Sequence, residues 1–273
     1  MERSPLGLRP LCFLGIGALI LLSPCRGAAD VLGHFTGLYH AATLSTGQLE
    51  GAVSFAAVHN EGIAFFHSGQ NRVSLPRLYG AYRIGRQAFV EGSWDYRIVD
   101  DHRTGAANGS GDVRLATQVE IAPHAWPAAA IAARAAVKIP NADENLSLGT
   151  NETDVIGLIV VTRTLTERWD LLLQVGVEIL GDPREAAVQD DVLDAGLGVD
   201  IHIGSWTTRL GFVAQEGRNN GNNAQRVVWA TRGPISRRVS WVVGAEAGLA
   251  GLASDWGVQA GIVVTNIAGG LWP

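Results

Sequence analysis

Beyond its first 29 residues the chain has no cysteine, because Cys12 and Cys25 both lie near the start. That excludes a disulfide framework and thiolate chemistry in the remainder. Long apolar runs are also missing. After residue 29 the longest comparable stretch, Val155 to Val161, is seven residues and is broken by Gly157, so a bundle of membrane-spanning helices, each of roughly 20 apolar residues, is excluded. Lysine occurs once, as Lys138. No G-x-S-x-G, H-E-x-x-H, Walker-type or C-x-x-C pattern is present, which removes the common hydrolase, zinc-protease, nucleotide and redox signatures.

What is present begins with a secretory signal. Arg3 and Arg9 form a basic start, Leu11 to Leu22 is an apolar core, and Gly27-Ala28-Ala29 supplies small residues for cleavage before Asp30. Leu22-Ser23-Pro24-Cys25 only loosely matches a lipoprotein box, since Pro24 stands where Gly or Ala is wanted. Residues 1–29 are therefore expected to be removed. Their loss takes three arginines and one glutamate from a chain of net charge −5, leaving −7. An acidic mature chain of this kind has no nucleic-acid footprint, which needs a basic face.

From about residue 76 onward the dominant period is two, the mark of strands with unlike faces. Trp169, Leu171, Leu173, Val175, Val177 and Ile179 share one face, with Leu172 and Leu180 as exceptions on the other. Leu193 to Ile203, Val113 to Ile121 and Trp256 to Val264 alternate in the same way. The segments fall near 78–84, 87–98, 110–122, 129–139, 153–165, 169–181, 191–203, 206–216, 226–234, 240–249 and 255–265. Most are longer than the roughly 5–6 residues of an ordinary strand, and they match the 9–11 or so that a tilted membrane strand requires. Connections alternate short and long, as in outer-membrane barrels with tight periplasmic turns and extended outside loops.

Tryptophan placement agrees. Trp126, Trp169, Trp206 and Trp241 fall beside short turns, while Trp94 and Trp256 are expected near the outer ends of their strands. Such a girdle suits a ring that is apolar yet keeps a polar N–H at the lipid boundary. The opposite face carries Glu91, Asp95, Arg97, Asp112, Arg114, Glu120, Arg134, Lys138, Arg163, Glu178, Asp194, Asp200, Arg209 and Glu246. Mixed charges of this density fit a hydrated or salt-bridged lumen and not a dry core. Glycines interleaved among them, Gly196 and Gly198 included, either leave room for those charged side chains or relieve crowding in a curved sheet.

The expected fold is all-β: a single transmembrane antiparallel barrel spanning 30–273, of about twelve strands, with ten to fourteen tenable. Residues 30–77 are the least patterned. A strand near Leu49 to Ala56 opens the barrel; His59-Asn60-Glu61-Gly62 is a candidate tight turn, and Phe65-Phe66 a candidate inward plug or outer loop. The final Leu271-Trp272-Pro273 departs from the terminal aromatic that barrels present to their assembly machinery.

The order of short motifs between Gly109 and Val264 resembles a family of outer-membrane barrels named for the meta-cleavage phenol degradation pathway. Gly111-Asp112 opens a strand, and Lys138-Ile139-Pro140-Asn141 stands where that family has K-x-P-T-G. Leu148-Gly149-Thr150, Thr153-Asp154, Asp255-Trp256-Gly257 and Gly261 match later elements. Asn141-Ala142 replaces the family's Thr-Gly. The resemblance implies a single-chain barrel related to transporters of hydrophobic compounds.

The functional expectation is an outer-membrane channel or passive transporter for small compounds, hydrophobic or aromatic ones included, with no enzymatic activity, cofactor or metal. Its partners would be the outer-membrane lipid bilayer, a small-molecule solute and, during biogenesis, the barrel assembly machinery. A closed structural or adhesive barrel is one alternative. A lipid hydrolase using His59, His67 or Ser68 is the other, but His67 and Ser68 would point to opposite faces of a strand.

Overall fold

The computed structural model describes residues 30–41, 48–62, 69–85, 87–101, 104–126, 129–181, 189–217 and 223–265, with backbone alone for 123–126. The expected signal segment, Phe65-Phe66, His67 and Ser68, and the C-terminal residues lie outside it.

Twelve antiparallel strands close into a barrel, and a thirteenth lengthens one wall. In chain order they are β1 (Leu49–Gly62), β2 (Gly69–Ile84), β3 (Ala88–Asp101), β4 (Gly105–Ser110), β5 (Val113–Trp126), β6 (Ala129–Ile139) and β7 (Asp154–Thr166). There follow β8 (Trp169–Gly181), β9 (Gln189–Ile203), β10 (Trp206–Gly217), β11 (Ala224–Pro234), β12 (Val239–Gly251) and β13 (Trp256–Thr265). Each strand pairs with its sequence neighbours, except that β3 pairs with both β4 and β5, and β1 closes on β13 through Glu50↔Thr265 to His59↔Trp256. Closure satisfies the backbone groups that a sheet edge would leave bare in lipid.

Two differences from the expected segments have physical causes. β2 starts at Gly69, not near 78, because a bulge between Ser74 and Arg77 switches the inward parity from even to odd residues and hides the alternation. The stretch expected to be a loop after residue 98 instead extends β3 to Asp101 and returns as β4, pairing Tyr96–Asp101 with Gly105–Ser110. β4 continues the line of β5 beyond Gly111-Asp112. Nor do His59–Gly62 form a tight turn: β1 runs through to Gly62.

The outer surface is apolar. Val53, Val90, Ile98, Leu115, Ile159, Leu173, Val175, Leu197 and Ile262 are each at least 40% exposed, which is a liability in water and a requirement in lipid. Trp169 and Trp206 stand beside short turns with their rings exposed. Trp206 meets Trp241 edge-to-face at 5.0 Å at the same end. At the long-loop end Trp256 opens β13 and stacks on His59. Trp94 differs from its expected place: because β3 continues to Asp101, it sits mid-strand opposite Leu78, and its indole N–H donates to Ser110 Oγ at 2.8 Å. Trp126 ends β5 at the short-turn end, its side chain outside the described atoms.

Residues 30–41 do not join the wall. Asp30 caps a short helix, α1 (Val31–Thr36), accepting the Gly33 N–H at 2.9 Å, and Gly37 ends it in the left-handed conformation with φ +71°. The chain then runs extended to Ala41, buried inside the barrel.

Candidate functional site

The site is the lumen, and what organises it is this internal segment. Val31, Leu32 and Phe35 of α1 pack on inward residues of the wall: Ala52, Tyr79, Ala81, Phe89, Ala230, Val242 and Val263. Leu38 is fully buried against Leu172, Val213 and Val228. Ala41 and Tyr39 rest on Ala130, Ala132, Leu158 and Val160. Leu172, which breaks the alternation of β8, therefore faces inward to meet the plug.

The wall is recessed where Leu38 enters. A Cβ built on Gly196, Gly198 or Gly211 would stand 2.8, 2.3 or 2.7 Å from its side chain. A side chain at any of the three would force Leu38 to move, and at Gly198 it would also stand 2.5 Å from the Leu210 carbonyl oxygen, so the glycines form the seat of the leucine.

The extended plug backbone has no strand partner, and wall side chains take its hydrogen bonds instead. Gln118 Nε2 donates to the His40 and Ala41 carbonyls at 2.9 and 3.2 Å. Gln174 donates to the Gly37 carbonyl at 2.9 Å and accepts the Tyr39 N–H at 3.1 Å. Thr162 Oγ1 accepts the Ala41 N–H at 2.8 Å, and Gln259 donates to the Phe35 carbonyl.

A buried ion cluster completes the attachment. Arg209 makes a two-pronged contact with Asp200 at 2.7 and 2.8 Å, and its third arm reaches Asp30 at 2.7 Å and the Leu38 carbonyl. Nearby, Asp170 receives His202 at 2.8 Å and stands 3.7 Å from His40 of the plug.

Among the described residues a partly open cavity lies on either side of this segment. The one toward the long loops measures about 890 Å³ and the one toward the short turns about 250 Å³. His34, Phe35, Thr36, Gly37 and Tyr39 floor the first; Asp30, Leu32 and His40 border the second.

The charged residues expected to line the lumen sort accordingly. Glu91, Asp95, Arg97, Asp112, Arg114, Arg134, Lys138, Glu178, Asp194 and Glu246 line the larger cavity, and Asp200 and Arg209 the smaller. Glu120 is buried, 3.9 Å from Arg83 near the short turns. Arg163 is a correction. On β7 the residues Asp154, Leu158, Val160 and Thr162 are buried toward the lumen while Val155, Ile159 and Leu165 are exposed, so Arg163 has the outward parity and does not line either cavity. Val155 to Val161 is apolar at both parities, so the sequence does not mark the lumen face of β7, and Arg163 is itself buried at the strand's end.

Several of these charges are paired. Arg134 bridges to Glu91 and lies over the Tyr39 ring at 3.8 Å, Lys138 bridges to Asp154, and Arg97 to Asp95 at 3.1 Å. Asp112 accepts the N–H groups of Asn141 and Ala142, at 3.2 and 3.1 Å, so it anchors the loop over the cavity.

The sequence reading missed the plug. The signals available were the inward apolar exceptions on alternating strands, such as Leu172, and the three glycines Gly196, Gly198 and Gly211 that face them.

No protein-family model matches the sequence, and no curated protein matches it. Solved structures do. An outer membrane channel from Pseudomonas putida F1 superposes with a TM-score of 0.63 at 14% identity, over 82% of this chain and 97% of that one. The NanC porin superposes with a TM-score of 0.54 at 9% identity, over 79% and 98%. This chain has the fold of an outer-membrane channel barrel. Identities this low establish the fold and leave the solute to the chemistry of the lumen.

The plug also carries a titratable group. Burial first, then the charges of Arg77, Arg114 and Arg134, hold His34 well below the ordinary histidine value of 6.5, against a weaker opposing pull from Asp95. His34 is thus neutral when docked, and a released plug regains the ordinary value. The released form then binds a proton that the docked form does not. Docking is at full strength above about pH 6.5 and weakens as pH falls below it. Open probability in planar bilayers is expected to rise between pH 7 and pH 5, with a flatter profile in His34→Gln. An identical profile in the variant would assign the response elsewhere.

Proposed function

We propose that this chain is an outer-membrane channel for small molecules, held shut at rest by residues 30–41. The observation that carries this reading is the contrast between its surfaces: an apolar outer band, and a charged interior divided by a segment that is not part of the wall. A barrel meant only as a rigid anchor has no need of an 890 Å³ polar chamber open to ligand-sized contents. The short-turn end would face the periplasm, placing the plug on that side and the larger chamber outside. The same architecture supports a non-enzymatic role, since many of the lumen charges are engaged in ion pairs or in holding loop and plug.

Single-channel recording of the refolded protein beginning at Asp30 tests the proposal, with an unheated-gel shift confirming the folded barrel. Sparse, discrete openings at neutral pH are expected. The reading is abandoned for a closed structural barrel if the folded protein is silent both with and without residues 30–41.

A further inference from the structure

The larger cavity is electrically uneven. On the wall formed by β2, β3, β5 and β6, most cations have a carboxylate of their own. Arg72 pairs with Glu61 at 2.8 Å, Arg97 with Asp95 at 3.1 Å, Arg134 with Glu91 and Lys138 with Asp154. Two do not. Among the described residues, Arg77 has only an amide oxygen, Gln259 Oε1 at 2.8 Å, and Arg114 has no carboxylate within 4 Å. Asp95 faces Arg77 across the β2–β3 register, but it is already held by Ser74 at 2.7 Å and by Arg97. Asp112, two residues before Arg114, is occupied by the loop amides.

His34, Arg77 and Arg114 line this same cavity. The two arginines are also the charges that act most strongly on His34. The His34 ring is stacked on Tyr79 at 4.6 Å, and its Nε2 has no hydrogen-bond partner although that atom is buried. A neutral imidazole with a free ring nitrogen beside two surplus arginines lacks one thing, a negative charge. On the opposite wall Glu178 accepts from Gln215 at 2.8 Å and Asp194 from Gln174 at 2.9 Å, and neither carboxylate makes an ion pair among the described residues, although Arg114 is the cation acting most strongly on Glu178. An anion is therefore confined to the Arg77–Arg114 side. The rest of the lining includes Phe35, Tyr39, Leu148, Leu180, Val192 and Leu252, which gives an organic body a surface to cover.

We propose that Arg77 and Arg114, with His34 Nε2 as a further hydrogen-bonding group, form a binding site for the carboxylate of a small organic anion. As the solute class of the channel, this rests on the reading above; as a binding site, it can be tested without any conduction.

The experiment is calorimetric titration of the folded protein beginning at Asp30, in detergent at pH 7 and low salt. Benzoate and benzamide serve as probes because they share a shape and differ in charge, and inorganic phosphate as a third. Saturable benzoate binding is expected, at least about tenfold tighter than benzamide, weakened by added salt. Arg77→Gln and Arg114→Gln should each weaken it by about tenfold or more, the loss of a charge-assisted contact. Arg168→Gln, in an exposed short turn, should change nothing. Arg114→Gln alone suffices if the other variant fails the gel-shift test of folding. Equal binding of benzoate and benzamide, or benzoate binding indifferent to both arginines, overturns the site. Phosphate binding as tightly as benzoate overturns its organic character. Conduction without arginine-dependent binding would leave the channel standing and remove the site; arginine-dependent binding to a silent barrel would do the reverse.

Discussion

Deleting residues 30–41 will raise the single-channel conductance several-fold and make it steady, because that segment lies between the two cavities and lines both. The barrel should survive the deletion. Its wall closes through hydrogen bonds between neighbouring strands from β1 to β13, none of which passes through the plug. What the deletion exposes is a patch of inward apolar side chains, Leu158, Val160, Leu172 and Val228, and four side chains that had held plug backbone: Gln118, Thr162, Gln174 and Gln259. Those amides and the hydroxyl can turn to water. Retained gel-shift behaviour with a larger, less noisy current is the expected result. A folded deletion variant with the current of the intact protein would mean that solutes bypass the plug.

Replacing Arg209 with Met will undock the plug without removing it. Arg209 is fully enclosed and bonded to Asp200, Asp30 and the Leu38 carbonyl at once. A methionine fills part of the space but leaves two buried carboxylates facing each other with no cation between them. Removing one partner from a buried ion cluster costs about 3–5 kcal/mol. Since each 1.4 kcal/mol or so is tenfold in an equilibrium, the docked-to-released ratio should fall by roughly a hundredfold or more. The molecule can relieve the repulsion cheaply by letting Asp30 leave for water, because Asp30 belongs to the plug and Asp200 to the wall. Open probability should rise, and Phe35 and Tyr39 should become cleavable by chymotrypsin in the folded barrel. Arg209→Lys keeps the charge and loses the fork, so it should lie between. Unchanged gating and protease resistance in Arg209→Met would show that Leu38 and its glycine seat hold the plug without the ion cluster.

The wall was legible in the sequence, and the reason is the period of a strand. When one face meets lipid and the other a wet lumen, each residue declares its side, so Trp169 to Ile179 or Leu193 to Ile203 could be assigned without coordinates. Short turns and their tryptophans followed from the same logic. Legibility failed where the period was broken: at the Ser74–Arg77 bulge, in the glycine- and alanine-rich β4, and at Arg163, because Val155 to Val161 is apolar at both parities and leaves the lumen face of β7 unmarked.

Alternation proposed a set of charged inward residues from Glu91 to Glu246 but left out Arg72, Arg77 and the whole plug, and it said nothing of what any of them does there. Arg209, Asp200, Asp95 and Arg114 all read as lumen charges of equal standing. Only the closed barrel shows that the first two clamp a plug, the third is consumed by its neighbours, and the fourth is left over. The difference lies in distance along the chain. Alternation is a local property, written between residues one and two apart, whereas the contact of Asp30 with Arg209 joins positions 179 apart. Nothing in a two-residue period records such a meeting, which depends on strand number, register and the depth at which the first dozen described residues come to rest.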